Sequence, residues 1–260
     1  MPVIYEPKGS RAREYSLLAC NLFSGCVPGR DYCYAPGALH VTPEQFHTNI
    51  KPHPCILDRL KKDAVKYRGT DKRVMLCFTC DPYQPEEIEQ GITWQAILIL
   101  RKYEIPFQIL TKGGMRAARD FKLYGPNDAF ATTLTFTSKL RSLEFEPKAA
   151  EPADRIAAIR RAKEWGLTTW VSIEPVVDPG ESLKLIEVTA EYVDLFKIGK
   201  LNHKTNDTDW RWFGCEAIEL CEKYGVPYYV KDDLAEYLAG VKFINTDTRI
   251  VNRQSAIVNE

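Results

Sequence analysis

The sequence has no excess of either charge: 35 Lys and Arg stand against 35 Asp and Glu in 260 residues. A zero net charge excludes a whole-chain electrostatic footprint for nucleic acid or an anionic membrane. It leaves room for a local patch, and Lys8, Arg11 and Arg13 form a small basic one. Long apolar runs are also absent. The longest, Ala96-Ile97-Leu98-Ile99-Leu100, falls far short of the roughly 20 residues that span a bilayer. The stretch from Met1 to Lys8 lacks an apolar signal segment. No Gly-Ser linker, low-complexity segment or short repeat divides the chain. These absences point to a soluble, cytoplasmic protein without membrane partners. They fit a single domain over residues 1–260, with 241–260 as a patternless tail. What is present is apolar content, 45% of residues, enough for a core and against disorder.

Eight cysteines then carry information: Cys20, Cys26, Cys33, Cys55, Cys77, Cys80, Cys215 and Cys221. In a reducing compartment clustered cysteines point to metal or catalysis, not to disulfides. Cys55, Cys215 and Cys221 stand apart and read as small buried residues. The rest fall into a group around 20–33 and a group at 77–80.

Apolar, β-branched runs alternate with helical periodicity. The expected strands are Leu17–Phe23, Arg73–Cys80, Phe107–Thr111, Ala131–Phe136, Thr168–Ile173, Leu195–Ile198 and Pro227–Val230. Helical patterns lie between them: Glu86 to Tyr103, a stretch after Pro152 stopped by Gly166, one around Leu183 and Ile186, and Cys215 to Tyr224. Such alternation gives parallel strands with right-handed crossovers. The expected fold is α/β, a partial (β/α)6 TIM-type barrel, with a doubly wound sheet as the competitor. In a barrel the chemistry sits at the C-terminal strand ends. That directs attention to residues 24–36, 79–85, 111–114, 133–138, 173–178 and 198–203.

The first of these segments reads Ser24-Gly25-Cys26-Val27-Pro28-Gly29-Arg30-Asp31-Tyr32-Cys33-Tyr34-Ala35-Pro36. It resembles the radical S-adenosylmethionine (SAM) enzymes, whose mark is C-x3-C-x2-C after the first strand with an aromatic before the last Cys. Cys26 and Cys33 fit the outer positions and Tyr32 the aromatic; Arg30 stands at the middle position. Further segments are similar to the spore photoproduct lyase-like branch, often labelled DNA-repair photolyases. They are the stretch from Val74 to Pro85, Tyr5-Glu6-Pro7-Lys8-Gly9, Ala12-Arg13-Glu14-Tyr15-Ser16, Leu110-Thr111-Lys112 and Glu146-Pro147-Lys148. The resemblance runs from about residue 5 to 175.

The resemblance implies a [4Fe–4S] cluster held by three loop thiolates, with SAM on the open iron. Reductive cleavage of SAM then yields a 5′-deoxyadenosyl radical, fed by an electron donor. It further implies lyase-type or other radical modification of a nucleic-acid-like substrate. Cys26 and Cys33 match metal ligands. Tyr32 matches a contact to adenine or ribose, Asp81 the partner of the SAM amino group, and Lys112 a lysine near the SAM carboxylate or ribose. Thr133 matches a Ser or Thr near the cofactor. The lyase's hydrogen-donating Cys falls at Phe78 here, flanked by Cys77 and Cys80. Of these two, Cys80 at the strand end is expected to face the pocket and to be the catalytic candidate.

Arginine keeps its proton and cannot replace a thiolate. Arg30 therefore leaves three explanations open: a member that lost its cluster, an altered version of an active one, or a third ligand from elsewhere, with Cys80 best placed. Two other readings compete. One is a cluster-free barrel that binds SAM or a nucleotide without redox chemistry. The other is a mononuclear metal or zinc protein using Cys26, Cys33 and Cys80. Glu174 before Pro175 reads as a general base or as a strand cap, and His203 as a surface residue at a strand end. Two geometric expectations follow. Cys26 and Cys33 should converge on one cavity, and Asp81, Lys112 and Thr133 should line it.

Overall fold

The computed structural model describes residues 2–202 and 206–246. Seven strands form its centre: β1 (Leu18–Ala19), β2 (Val74–Leu76), β3 (Phe107–Thr111), β4 (Ala129–Thr133), β5 (Thr168–Ile173), β6 (Leu195–Ile198) and β7 (Tyr228–Val230). They pair in chain order, each parallel to the next. A doubly wound sheet reverses its strand order at a switch point; this sheet does not, and it curls into a half-barrel. Helices α1 (Ile56–Tyr67), α2 (Ile92–Lys102), α3 (Pro152–Glu164), α4 (Pro179–Thr189) and α5 (Trp210–Lys223) follow strands on the outside. A 3₁₀ segment, Gly114–Leu123, makes the crossover between β3 and β4. No helix among the described residues is long and apolar enough to cross a membrane.

Period-two alternation sorts each strand into two faces. Val74, Leu76, Phe107, Ile109, Phe130, Val171, Ile173, Phe196, Ile198 and Val230 share one core with helix residues such as Leu60, Ala64, Ile97, Leu100, Ile159, Ile186 and Phe213. The opposite face forms a smaller interior of Ala19, Met75, Ala129, Ala131, Trp170 and Leu195, with Leu110 and Tyr15 against it. Alanine at three of these positions leaves room for the N-terminal arm. Tyr5 bridges to Ala19, and the arm then crosses the interior. Lys197, nearly fully buried on β6, donates to the carbonyl oxygens of Glu14 at 2.8 Å and Tyr15 at 3.3 Å. Its ammonium lies 4.8 Å from the Trp170 ring centroid and 5.2 Å from that of Tyr15. A buried cation needs such partners, so Lys197 ties the arm across the half-barrel.

Several boundaries differ from expectation for local reasons. The run Leu17–Phe23 splits: β1 ends at Ala19, and Phe23–Ser24 pairs antiparallel with Lys51–Pro52. β2 ends at Leu76, not Cys80, and β4 covers Ala129–Thr133, not Ala131–Phe136. The helix expected from Glu86 to Tyr103 breaks at Gly91, whose φ of 59° ends Glu87–Gln90 before α2 begins. Cys55 is exposed at the start of α1, not buried. Part of the expected tail is ordered along β7. The Asn245 amide exchanges hydrogen bonds with Val230 at 2.7 and 2.9 Å, and Thr246 N–H donates to Tyr228. His203 and residues 247–260 lie outside the described residues.

The loop after β1 is held from below. Gly25, at φ +81°, lets the chain pass within contact of the carbonyls of Asn49 and Phe46; an added Cβ would meet them at 2.7 and 2.8 Å. Gly166 has φ +75° but nothing within 4 Å of an added Cβ. Gly166→Ala should therefore cost only the left-handed backbone strain, about 1–2 kcal/mol. Gly25→Ala should cost clearly more by adding two clashes with backbone. Urea denaturation of the two variants checks the order; equal losses would show that the loop yields.

Candidate functional site

Side chains that continue the inward series of each strand past its C-terminal end share one cavity of about 350 Å³. On β3 the inward series Gln108, Leu110 leads to Lys112; on β4, Ala129, Ala131 leads to Thr133; on β5, Trp170, Ser172 leads to Glu174. Lys197 on β6 is followed by Gly199, whose smallness matters: an added Cβ would meet the Glu174 carboxyl at 2.8 Å. Tyr229 leads to Lys231 just past β7. Lys112, Thr133, Ser172, Glu174 and Lys231 all line the cavity, joined by Arg30, Tyr32 and Cys33 from the loop after β1.

One buried carboxylate organises the β3–β4 side. Glu146 Oε1 accepts from Lys112 Nζ at 2.6 Å, from Thr135 Oγ1 at 3.2 Å and from the Tyr32 hydroxyl. Its Oε2 accepts from Arg155 Nη2 of α3 at 2.5 Å. Arg155 is itself nearly fully buried and donates to the carbonyls of Ala150 and Thr133. Burial opposes ionisation of Glu146, but the Lys112 and Arg155 cations outweigh it and hold its pKa well below the usual carboxylate range. For Lys112, burial dominates. Together with the Arg155 and Arg30 guanidiniums it pulls the ammonium down to about 7, although Glu146 pulls the other way.

A second carboxylate organises the β5–β7 side. Glu174 accepts from the Tyr15 hydroxyl and Lys231 Nζ, both at 2.6 Å, and from Asn202 Nδ2 at 2.9 Å. Burial works against the charge of Lys231, but Glu174 and Glu14 outweigh it and raise its pKa. With three donors on its oxygens, Glu174 is a positioning carboxylate for Tyr15 and Lys231.

Of the expected site residues, Tyr32, Cys33, Lys112 and Thr133 line the cavity, and Cys26, Cys80 and Asp81 do not. Asp81 is buried with both oxygens in use: Oδ1 accepts from Tyr83 N–H and the Thr111 hydroxyl, and Oδ2 from Lys112 N–H at 2.7 Å. It fixes the backbone of Lys112 from behind. The expectation that Cys80 faces the pocket is corrected: Cys77 lines it and Cys80 does not. Burial, then the neighbouring Cys80 thiol, push the Cys77 pKa well up. Cys26 and Cys33 do not converge on a free cavity. The Arg30 guanidinium neighbours both thiols and donates to Cys33 Sγ at 3.5 Å. Cys26 is fully buried, and burial pushes its thiol well up. Lys200 and Asn202 fall within the expected segment 198–203 and Tyr15 within a matched segment, without an assigned role; Lys231 was passed over, and the inward period of β5 to β7 was its signal.

The residues present do not fit a [4Fe–4S] cluster. Cys26 and Cys33 flank Arg30, a permanent cation. Among the described residues no three His, Cys, Asp or Glu are placed to hold a metal ion, so Cys26, Cys33 and Cys80 form no three-thiolate site.

No family model matches the chain, and no curated protein matches it. Solved structures do. A spore photoproduct lyase complexed with dinucleoside spore photoproduct matches with a TM-score of 0.66 at 14% identity, over 87% of this chain and 78% of that one. A double mutant of the lyase with bound AdoMet and dinucleoside spore photoproduct matches at 0.60 and 17%, over 85% and 64%. Streptococcus suis SuiB bound to S-adenosylmethionine matches at 0.50 and 10%, over 67% and 42%. These likenesses show the fold, a partial TIM-type half-barrel.

The Glu146 network makes two predictions. Glu146→Gln leaves Arg155 and Lys112 buried without their anion and should destabilise the protein by about 3–5 kcal/mol at pH 7. Because the folded pKa of Glu146 lies below its unfolded value, its contribution is present above the unfolded pKa, about 4.5. It is lost as pH falls through the folded value. Unfolding free energies should thus converge between the two proteins on acidification. A constant difference down to pH 2 would contradict this.

Proposed function

We propose that this chain is a radical SAM-fold protein whose half-barrel cavity binds S-adenosylmethionine or a closely related adenine nucleotide. The carrying observation is the convergence of Tyr32, Lys112 and Thr133 on one cavity at the C-terminal strand ends. Their matches in the resembling branch are cofactor contacts. The neighbouring structures hold AdoMet and a dinucleoside, which supports this ligand class and a nucleic-acid-like substrate.

The residues divide the work. The Tyr32 ring, 5.7 Å from Lys112 Nζ and pinned through its hydroxyl to Glu146, offers a fixed aromatic face for an adenine. Lys112 presents a charge that titrates near neutrality beside the ligand. Tyr15, Ser172, Asn202 and Lys231, arranged around Glu174, form the polar wall facing a substrate. Phe78 and Leu110 supply apolar surface that keeps water from the centre. The parent reaction class, lyase-type or radical modification driven by an external electron donor, belongs to the form with three loop cysteines. With Arg30 the present sequence is a binder with impaired redox chemistry.

Calorimetry with SAM on the full chain tests the reading. One saturable site is expected. Thr133→Val, which leaves the Glu146 network intact, and Lys112→Met should each weaken binding, the latter by about 1.5–3 kcal/mol, the scale of a charged hydrogen bond. Absent binding, or unchanged affinity in both variants, overturns the assignment of this cavity.

A further inference from the structure

We infer that the Arg30 corner of the cavity binds the phosphate of a nucleoside phosphate, so that this chain takes an anionic nucleotide in preference to a sulfonium ligand. The inference rests on the reading of the cavity as an adenine-ligand site and names its ligand class.

Arg30 is a cation without an anion. It lines the cavity, and among the described residues the hydrogen bond of its side chain is the long contact to the Cys33 sulfur. Its Nε is buried and has no partner. Among the described residues no carboxylate lies within ion-pair distance of it. A half-buried guanidinium whose buried Nε lacks a partner is costly, and an oxyanion reached by its planar fork is the group that satisfies it. Burial raises the pKa values of the neighbouring Cys26, Tyr32 and Tyr34 and so opposes their ionisation beside it.

The wall as a whole has the same sign. Arg11, Arg30, Lys112, Lys200 and Lys231 line the cavity with one carboxylate, Glu174. Lys112 is matched by Glu146 from behind and Lys231 by Glu174. Arg11 approaches Asp233 at 4.0 Å. Lys200 stands over the rings of Trp210 and Tyr237 at 5.8 and 5.2 Å, with no acid in ion-pair distance among the described residues. Arg30 and Lys200 are therefore surplus cations. They repel a sulfonium and attract a phosphate. A cavity of about 350 Å³ lies within the range of small-molecule sites, roughly 300–1,000 Å³. Tyr32 and Arg30 line the same cavity, so base and anion sites share it.

The test is equilibrium binding of adenosine, adenosine 5′-monophosphate (AMP), SAM and inorganic phosphate to the full chain at low salt. AMP should bind at least tenfold more tightly than adenosine and more tightly than SAM, and inorganic phosphate should compete with AMP but not with adenosine. Arg30→Gln, checked for folding by its thermal melt, should lose the tenfold gap and keep adenosine. Arg30→Lys should keep part of the gap, because charge remains without the fork. Equal affinity of the unmodified protein for adenosine and AMP overturns the inference without any variant. A gap that survives in Arg30→Gln overturns the role of Arg30. SAM binding at least as tightly as AMP overturns the inference and leaves the cavity assignment standing. No binding of any adenine ligand overturns both.

Discussion

A single buried carboxylate, Glu146, is the constraint on which the cavity depends. Its oxygens join Lys112 beyond β3, Thr135 beyond β4, Arg155 of α3 and Tyr32 of the loop after β1. These segments are distant in sequence, and each brings a donor that would be costly to bury alone. In a low-dielectric site such a network is stable only when every member is satisfied. The position of Tyr32 over the cavity, and the charge of Lys112 within it, follow from that requirement.

The far side repeats the device in milder form. Glu174 beyond β5 collects Lys231, Tyr15 and Asn202. Both hubs pair a carboxylate with a lysine placed one inward step past a strand. The half-barrel thereby shows two preorganised polar walls, with Phe78 and Leu110 between them. Arg30 breaks this pattern. It is a cavity cation with no carboxylate in ion-pair distance among the described residues, set between the thiols of Cys26 and Cys33.

Much of this was legible in the sequence, unevenly. Strand–helix alternation predicts the parallel half-barrel, and Phe107–Thr111, Thr168–Ile173 and Leu195–Ile198 match their strands. Where runs were overextended, tertiary geometry cut them short: the chain leaves β1 at Ala19 to build the loop, and β2 stops at Leu76. Strand-end position was a coarser guide than strand parity. It placed Cys80 and Asp81 in the pocket, whereas Cys77 lines it. Asp81 shows the limit of reading residue type alone, since its charge is consumed by Lys112 N–H, Thr111 and Tyr83. The partners of Glu146 were not legible, because Arg155 belongs to a helix whose inward face periodicity alone assigns to packing.

The proposal that carries the account is that Arg30, a permanent cation between Cys26 and Cys33, keeps a [4Fe–4S] cluster from assembling on this loop. Iron and sulfide content after anaerobic reconstitution tests it most directly, with the unmodified chain beside Arg30→Cys. The account predicts little or no iron and sulfide in the unmodified chain and about four of each per Arg30→Cys chain. A full complement in the unmodified protein would contradict it and show that a ligand outside the loop completes the site.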